Sequence, residues 1–265
     1  RRVVRFADGT AAKGRLFGEI MVGARESTAT EEDSLGLRFK VHVPQVPADG
    51  LRRLVLLVHG RAGSRDSMWT FARLFRDKHP VIVAPEAWMD DRVGGKSWWL
   101  IRDAASGEPQ TLAELRRGSP RVPLTEAEIV PAIDRLNRFI HGLPALFEVD
   151  LQHVYIAGFS QGAALSSSYA LQHPAAFRAV MMLAGFLPRA AYERARRELA
   201  AGTRLPPVAM IHGTNDPLVK VDHAMWGRDR LQELGANVSW HADPVGHKVG
   251  AEGMRFLGRW VNEHW

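Results

Sequence analysis

Apolar and polar positions along this chain alternate between two periods. Leu37, Phe39, Val41 and Val43 are separated by polar neighbours, the pattern of a half-buried strand. Leu54-Val55-Leu56-Leu57-Val58 and Val81-Ile82-Val83-Ala84-Pro85 are continuous apolar runs, which predict strands covered on both faces. Residues 154–159, 179–183, 208–211 and 237–241 read as further strands. Between the strands the period lengthens to that of a helix. Met68, Phe71, Ala72, Leu74 and Phe75 predict a helix over residues 67–79, stopped by Pro80. Thr125 and Glu128 have capping-box spacing ahead of Ile129, Ile133, Leu136 and Ile140. Pro131 either kinks that helix or marks its first turn. Helical stretches follow over residues 163–172 and 251–264. Strands alternating with helices predict right-handed βαβ units. The expected fold class is therefore α/β, a mainly parallel central sheet with helices on both faces.

Two regions fit neither period. Residues 1–34 are polar, dotted with glycine, and end in Glu31-Glu32-Asp33. They read as an N-terminal extension, either a peripheral hairpin or a partly ordered arm. Residues 86–122 form a long irregular connection holding Gly94-Gly95 and Trp98-Trp99. A connection of that length inside a compact domain is usually functional or mobile. No repeat or boundary divides what remains, so residues 35–265 read as one domain.

Composition narrows the chemistry. The chain has no cysteine, which excludes disulfides, cysteine-ligated zinc and a thiol nucleophile. No metal set or cofactor is expected. Without a run of about 18 apolar residues, no integral membrane segment is expected. No signal-peptide pattern is visible, so a cytoplasmic location is the expectation. The chain begins at Arg1, which leaves a secreted or periplasmic location open. The net charge of +6 suits anionic surfaces. Its arginines are spread along the chain without interleaved aromatics, so no nucleic-acid partner is expected.

The candidate chemistry begins at Gly158-Phe159-Ser160-Gln161-Gly162. An apolar strand feeds into it and a helix leaves it, the context of a nucleophile elbow. A serine hydroxyl is a weak nucleophile alone. It needs a histidine to take its proton and a carboxylate to orient that histidine. Asp216 follows the strand that ends near Ile211, and His247 lies between the last strand and the last helix. Both fall in loops at the carboxyl edge of the predicted sheet, where open parallel sheets place their sites. Asp222 and Asp243 are weaker rivals for the acid. His59 and His212, each before a glycine at a strand end, read as loop-ordering residues. An oxyanion also needs donors. The Gln161 N–H is one candidate, and the Arg61 N–H the other, with Ala62 as fallback.

Together with His59-Gly60, Leu183-Ala184-Gly185-Phe186-Leu187-Pro188, His212-Gly213-Thr214-Asn215-Asp216-Pro217 and Gly246-His247, this elbow resembles the phospholipase/carboxylesterase family of the α/β-hydrolases. That family includes acyl-protein thioesterases. The resemblance implies the α/β-hydrolase fold, a Ser160–Asp216–His247 triad and cofactor-free hydrolysis of small-molecule acyl esters. The implied activity is that of a serine carboxylesterase. A lysophospholipase or acyl-protein thioesterase is the alternative, and a peptidase or a non-catalytic binding protein is less favoured. A homodimer is compatible with it. Trp98 and Trp99 match an aromatic pair near the family's active site, and read as a pocket wall or lid, or as core aromatics. Phe186 reads as pocket lining or core. The chain departs from the family at Arg61-Ala62-Gly63, where Gly-x-Gly is usual, and residues 103–122 look longer than in compact members.

Overall fold

Each run of Val, Leu and Ile forms a strand, because a continuous apolar run can be buried on both faces only inside a covered sheet. The structure, a computed structural model, describes residues 4–5, 11–12 and 23–265. The main sheet has strands β1 (Ala24–Glu26), β2 (Phe39–His42), β3 (Arg52–Val58), β4 (Val81–Pro85), β5 (Val149–Phe159), β6 (Ala179–Leu183), β7 (Val208–Gly213) and β8 (Val238–Asp243). Their order across the sheet is β8-β7-β6-β5-β3-β4-β2-β1. Neighbours from β8 to β4 are parallel, and β2 is antiparallel to both of its neighbours.

The helices are α1 (Ala29–Leu35), α2 (Leu112–Arg116), α3 (Glu126–Gly142), α4 (Gln161–Gln172), α5 (Arg189–Glu198), α6 (Val221–Glu233) and α7 (Ala251–His264). Alternation along each strand divides the core in two. Leu54, Leu56 and Val58 join Ile129, Leu165, Tyr192 and Leu231, from α3, α4, α5 and α6. Val55 and Leu57 join Phe75, Leu257 and Trp260 on the opposite face. The sheet is therefore covered on both sides. In α4, residues 161–171 are all buried. Its buried serines donate backward along the helix, Ser166 to the Gly162 carbonyl at 2.8 Å and Ser168 to the Ala164 carbonyl at 2.7 Å. No buried hydroxyl of this pair is left unpaired.

The structure refines the local expectations at several points. The helix expected over residues 67–79 is a 3₁₀-helix, Trp69–Lys78. With about three residues per turn, Trp69, Ala72 and Phe75 line up as one buried row. Pro131 lies inside α3, which starts earlier, at Glu126. The Glu128 carboxylate accepts both the Thr125 N–H at 3.0 Å and its hydroxyl at 3.1 Å, so the capping box sets the first turn. Within residues 23–34, β1 pairs with β2 at the sheet edge. The helix α1 begins with a second capping box at Thr28 and Glu31 and ends at Gly36 with φ 72°. Before residue 23 the structure describes an antiparallel pair, Val4–Arg5 with Ala11–Ala12; the rest of the expected arm lies outside the described residues.

The connection over residues 86–122 is folded rather than irregular. Met89–Asp90 pairs with Lys96–Ser97 around Gly94 and Gly95, whose φ values of 91° and 69° suit a tight hairpin turn. A bridge from Asp103 to Arg121 closes its far end.

Candidate active site

Strand β5 ends at Phe159 and α4 begins at Gln161, so Ser160 alone makes the turn. Its backbone sits at φ 53°, ψ −113°. For a residue with a Cβ, such a conformation costs about 1–3 kcal/mol and persists only where the surroundings enforce it. The surroundings here are backbone. A Cβ on Gly158 would come within 2.3 Å of the Gly162 carbonyl oxygen, and one on Gly162 within 2.2 Å of the Val58 carbonyl oxygen. Strand, turn and helix thus meet too closely for any residue but glycine at these two points.

Asp216 and His247 come together although 31 residues separate them: His247 Nδ1 lies 2.6 Å from Asp216 Oδ2. The other carboxylate oxygen accepts the Leu218 N–H at 2.8 Å and the Val219 N–H at 3.0 Å. Burial pushes the Asp216 carboxyl up, but the His247 hydrogen bond and these amides outweigh it, leaving it below the usual carboxylate range. An ionised Asp216 can only accept, so His247 carries its proton on Nδ1 and leaves Nε2 free to take another. The His247 ring meets the Phe159 ring edge-on, with centroids 5.0 Å apart. That contact sets the imidazole beside the elbow. Among the described residues no hydrogen bond joins Ser160 Oγ to His247.

His59 and His212 have the geometry of loop-ordering residues. His212 Nε2 donates to the Val219 carbonyl at 2.7 Å, and burial lowers its pKa. His59 Nδ1 donates to the Gly60 carbonyl at 2.7 Å while its Nε2 accepts the Ala87 N–H at 2.9 Å. Only the neutral ring can do both, and burial lowers its pKa to about 4. Of the rival acids, Asp222 is exposed in the first turn of α6. Asp243 is already engaged by His241 Nε2 at 2.8 Å and the Gly253 N–H at 3.0 Å.

The oxyanion candidates separate cleanly. The Ala62 N–H donates to Ser97 Oγ at 3.0 Å, which removes the fallback. Among the described residues neither the Arg61 N–H nor the Gln161 N–H has a protein acceptor. Trp98 and Trp99 are core aromatics, 0% and 4% exposed, so neither is a lid. Trp98 is wholly enclosed because its indole N–H reaches inward to the His59 carbonyl at 2.8 Å. Phe186 is half-buried at the edge of the larger core. Among the described residues no cluster of three His, Asp or Glu is placed to hold a metal, and no helix is long and apolar enough to cross a membrane.

A family model described as Phospholipase/Carboxylesterase matches residues 40–265. The chain belongs to that family. A probable carboxylesterase of Oryza sativa subsp. japonica is 26% identical over 151 residues, covering 54% of this chain and 63% of the relative. The chain thus spans just over half to three fifths of the first curated relatives it matches. Acyl-protein thioesterase 1 of Yarrowia lipolytica is 26% identical over 228 residues, covering 79% of this chain and 91% of that protein. In fold, the chain is similar to the crystal structure of esterase PE8, with a TM-score of 0.67 at 24% identity, covering 85% of this chain and 99% of the other.

The sequence of this phospholipase/carboxylesterase family member hid several residues around the elbow. From sequence, Gln161 offers only its backbone amide. Its side chain accepts the Trp98 N–H at 2.9 Å and donates to the Trp99 carbonyl at 2.8 Å. The Arg61 guanidinium is buried against Asp91, with Nε–Oδ2 at 2.8 Å and Nη2–Oδ1 at 3.1 Å. It also donates to the Gln110 carbonyl. Asp91 in turn accepts from Ser97 Oγ at 2.8 Å. Burial raises the Asp91 carboxyl, and Arg61 with Ser97 bring it below its ordinary value. The available signal was a charged residue, Arg61, where the family has glycine. Its partner lies 30 residues on and carries no motif.

Proposed function

We propose that this chain is a serine carboxylesterase working through Ser160, His247 and Asp216. The observation that carries the proposal is the strained Ser160 turn standing beside a hydrogen-bonded Asp216–His247 pair, with two unpaired amides flanking it. His247 Nε2 takes the Ser160 proton as Oγ attacks the ester carbonyl carbon. The resulting oxyanion accepts from the Gln161 and Arg61 N–H groups. Collapse expels the alcohol, which leaves with the proton from His247. Water then gives a proton to His247 and attacks the acyl-enzyme. Collapse frees the acid and returns the proton to Ser160. Asp216 stays ionised throughout, holds the tautomer and stabilises the imidazolium.

Ser160→Ala should lower turnover of p-nitrophenyl esters on the order of 10,000-fold or more, with an unchanged melting temperature. Fluorophosphonate should label the wild type at Ser160. Turnover near wild type in the variant would remove Ser160 from the reaction.

A second reading keeps the machinery and changes the substrate to a long-chain acyl thioester or lysophospholipid. The similarity to an acyl-protein thioesterase over most of both chains supports it. A panel of matched esters and thioesters of increasing acyl length separates the two. A strong preference for acetyl or butyryl esters excludes the second reading.

A further inference from the structure

We propose that residues 91–110 are a positioning device for the oxyanion hole, acting through Asp91, Ser97 and the side chain of Gln161. The inference rests on the esterase reading above and goes beyond it, because none of these side chains touches the reacting atoms.

The Arg61 N–H belongs to the peptide plane whose carbonyl is that of Gly60. In a trans peptide the two point in opposite directions, so holding the carbonyl aims the amide. His59 Nδ1 holds that carbonyl from one side at 2.7 Å. Ser97 holds the next plane by accepting the Ala62 N–H at 3.0 Å. Ala62 itself is at φ 57°, a left-handed conformation that needs enforcement in a residue with a Cβ. Both planes beside Arg61 are therefore locked.

The same segment makes further contacts with the Arg61 loop and the elbow. The backbones of Gly63 and Lys96 exchange hydrogen bonds at 3.1 and 2.8 Å. Asp91 anchors the Arg61 guanidinium, whose charge it neutralises, and orients Ser97, whose hydroxyl donates to Asp91 and accepts from Ala62. A hydroxyl has one donor and free lone pairs, so it can do both. On the other side of the elbow, the Gln161 side chain grips the backbone of Trp98 and Trp99. Both proposed oxyanion donors, the Arg61 and Gln161 amides, are thus referenced to one segment. An oxyanion hole works because its donors are fixed before the charge develops. A shift of about 1 Å in such a group costs about 100-fold.

Ser97→Ala is the deciding variant. Asp91→Asn is a poorer one, since it leaves a buried guanidinium without its counter-charge and so attacks folding directly. With Ser97→Ala, kcat on a p-nitrophenyl ester should fall about 10- to 100-fold with KM within about twofold. The inhibition constant of an arylboronic acid, which forms a tetrahedral adduct on the serine, should rise by a similar factor. Gln161→Met keeps the backbone amide and removes both side-chain bonds; it should move the same two quantities in the same direction. Asp90→Ala, on the exposed side of the same hairpin, should move neither. A lowered melting temperature with wild-type kcat and boronate affinity in both Ser97→Ala and Gln161→Met would overturn the inference and leave the network a structural one. A wild type without Ser160-dependent turnover would overturn the esterase reading and this inference together, and is told apart from the first failure by the wild-type measurement alone.

Discussion

The loops carrying Asp216 and His247 and the loop carrying Arg61 reach the same place by different construction. The first two follow β7 and β8, which are consecutive in sequence and adjacent in the sheet. They hold each other backbone to backbone: the Thr214 N–H donates to the Asp243 carbonyl at 2.7 Å and the Asn215 N–H to the Val245 carbonyl at 3.1 Å. A Cβ on Gly213 would fall 2.3 Å from two carbonyl oxygens of the histidine loop. The Arg61 loop has no adjacent strand loop of this kind. Its Gly63 exchanges backbone hydrogen bonds with Lys96, and the Asp91 and Ser97 side chains and the Gln110 carbonyl, 30 to 49 positions from the residues they hold, reach in from a hairpin and a strap outside the main sheet. Proton-handling groups can hang on short loops of adjacent parallel strands, because the sheet itself fixes their separation. Amides that must face a developing charge need their peptide planes fixed, and that takes hydrogen bonds from elsewhere.

The sharpest way to break this comparison is on the acid side. Asp216→Asn should keep the fold and lower kcat about 10,000-fold, because the amide favours the wrong histidine tautomer. Activity within tenfold of wild type, measured at saturating ester, would show that another group orients His247. The next effect concerns the oxyanion side and reads stability. His59 is neutral in the fold with its pKa at about 4, against an ordinary 6.5. As pH falls, the unfolded chain takes this proton first, so the contribution is fully present above the ordinary value and is lost as pH falls toward about 4. For this residue the loss is up to about 3 kcal/mol. Chemical denaturation at intervals between pH 7 and pH 4 measures it. A His59→Gln variant should show a flatter slope in that window; an unchanged slope would place the titration elsewhere. The smallest effect is expected at Phe186, which belongs to neither side. Phe186→Ala should change KM a few-fold in a way that depends on acyl length, with kcat on short esters nearly unchanged. Equal changes at every length would make Phe186 a packing residue only.

What the sequence made legible follows the same division. The elbow was readable because it is local: a serine between two glycines in five residues, each glycine forced by the approach of one backbone to another. Asp216 and His247 were readable because strand order places them, and a strand end can be recognised from the apolar run before it. The Ser97 and Asp91 contacts were not, since they depend on how a hairpin outside the sheet folds back. The same limit made Trp98 and Trp99 ambiguous. An aromatic pair in a long connection reads alike as lid or core, and its burial is decided by Gln161 and the His59 carbonyl, 63 and 39 residues away. The 3₁₀ form of residues 69–78 escaped for another reason. Apolar residues at spacings of three and four satisfy either helix, and packing against α7 and the sheet selects between them.

By itself, then, the amino-acid order determined seven of the eight main-sheet strands, the α/β class, the strained serine turn and the identities of an acid and a histidine at neighbouring strand ends. These rest on periodicity and on contacts within a few residues, where chain connectivity limits the alternatives. Tertiary structure alone decided that the Ala62 amide is engaged while the Arg61 and Gln161 amides have no protein acceptor among the described residues, which histidine nitrogen carries the proton, and that the long connection grips the Arg61 loop. Those choices are made by single hydrogen bonds between distant segments, and no local pattern encodes them.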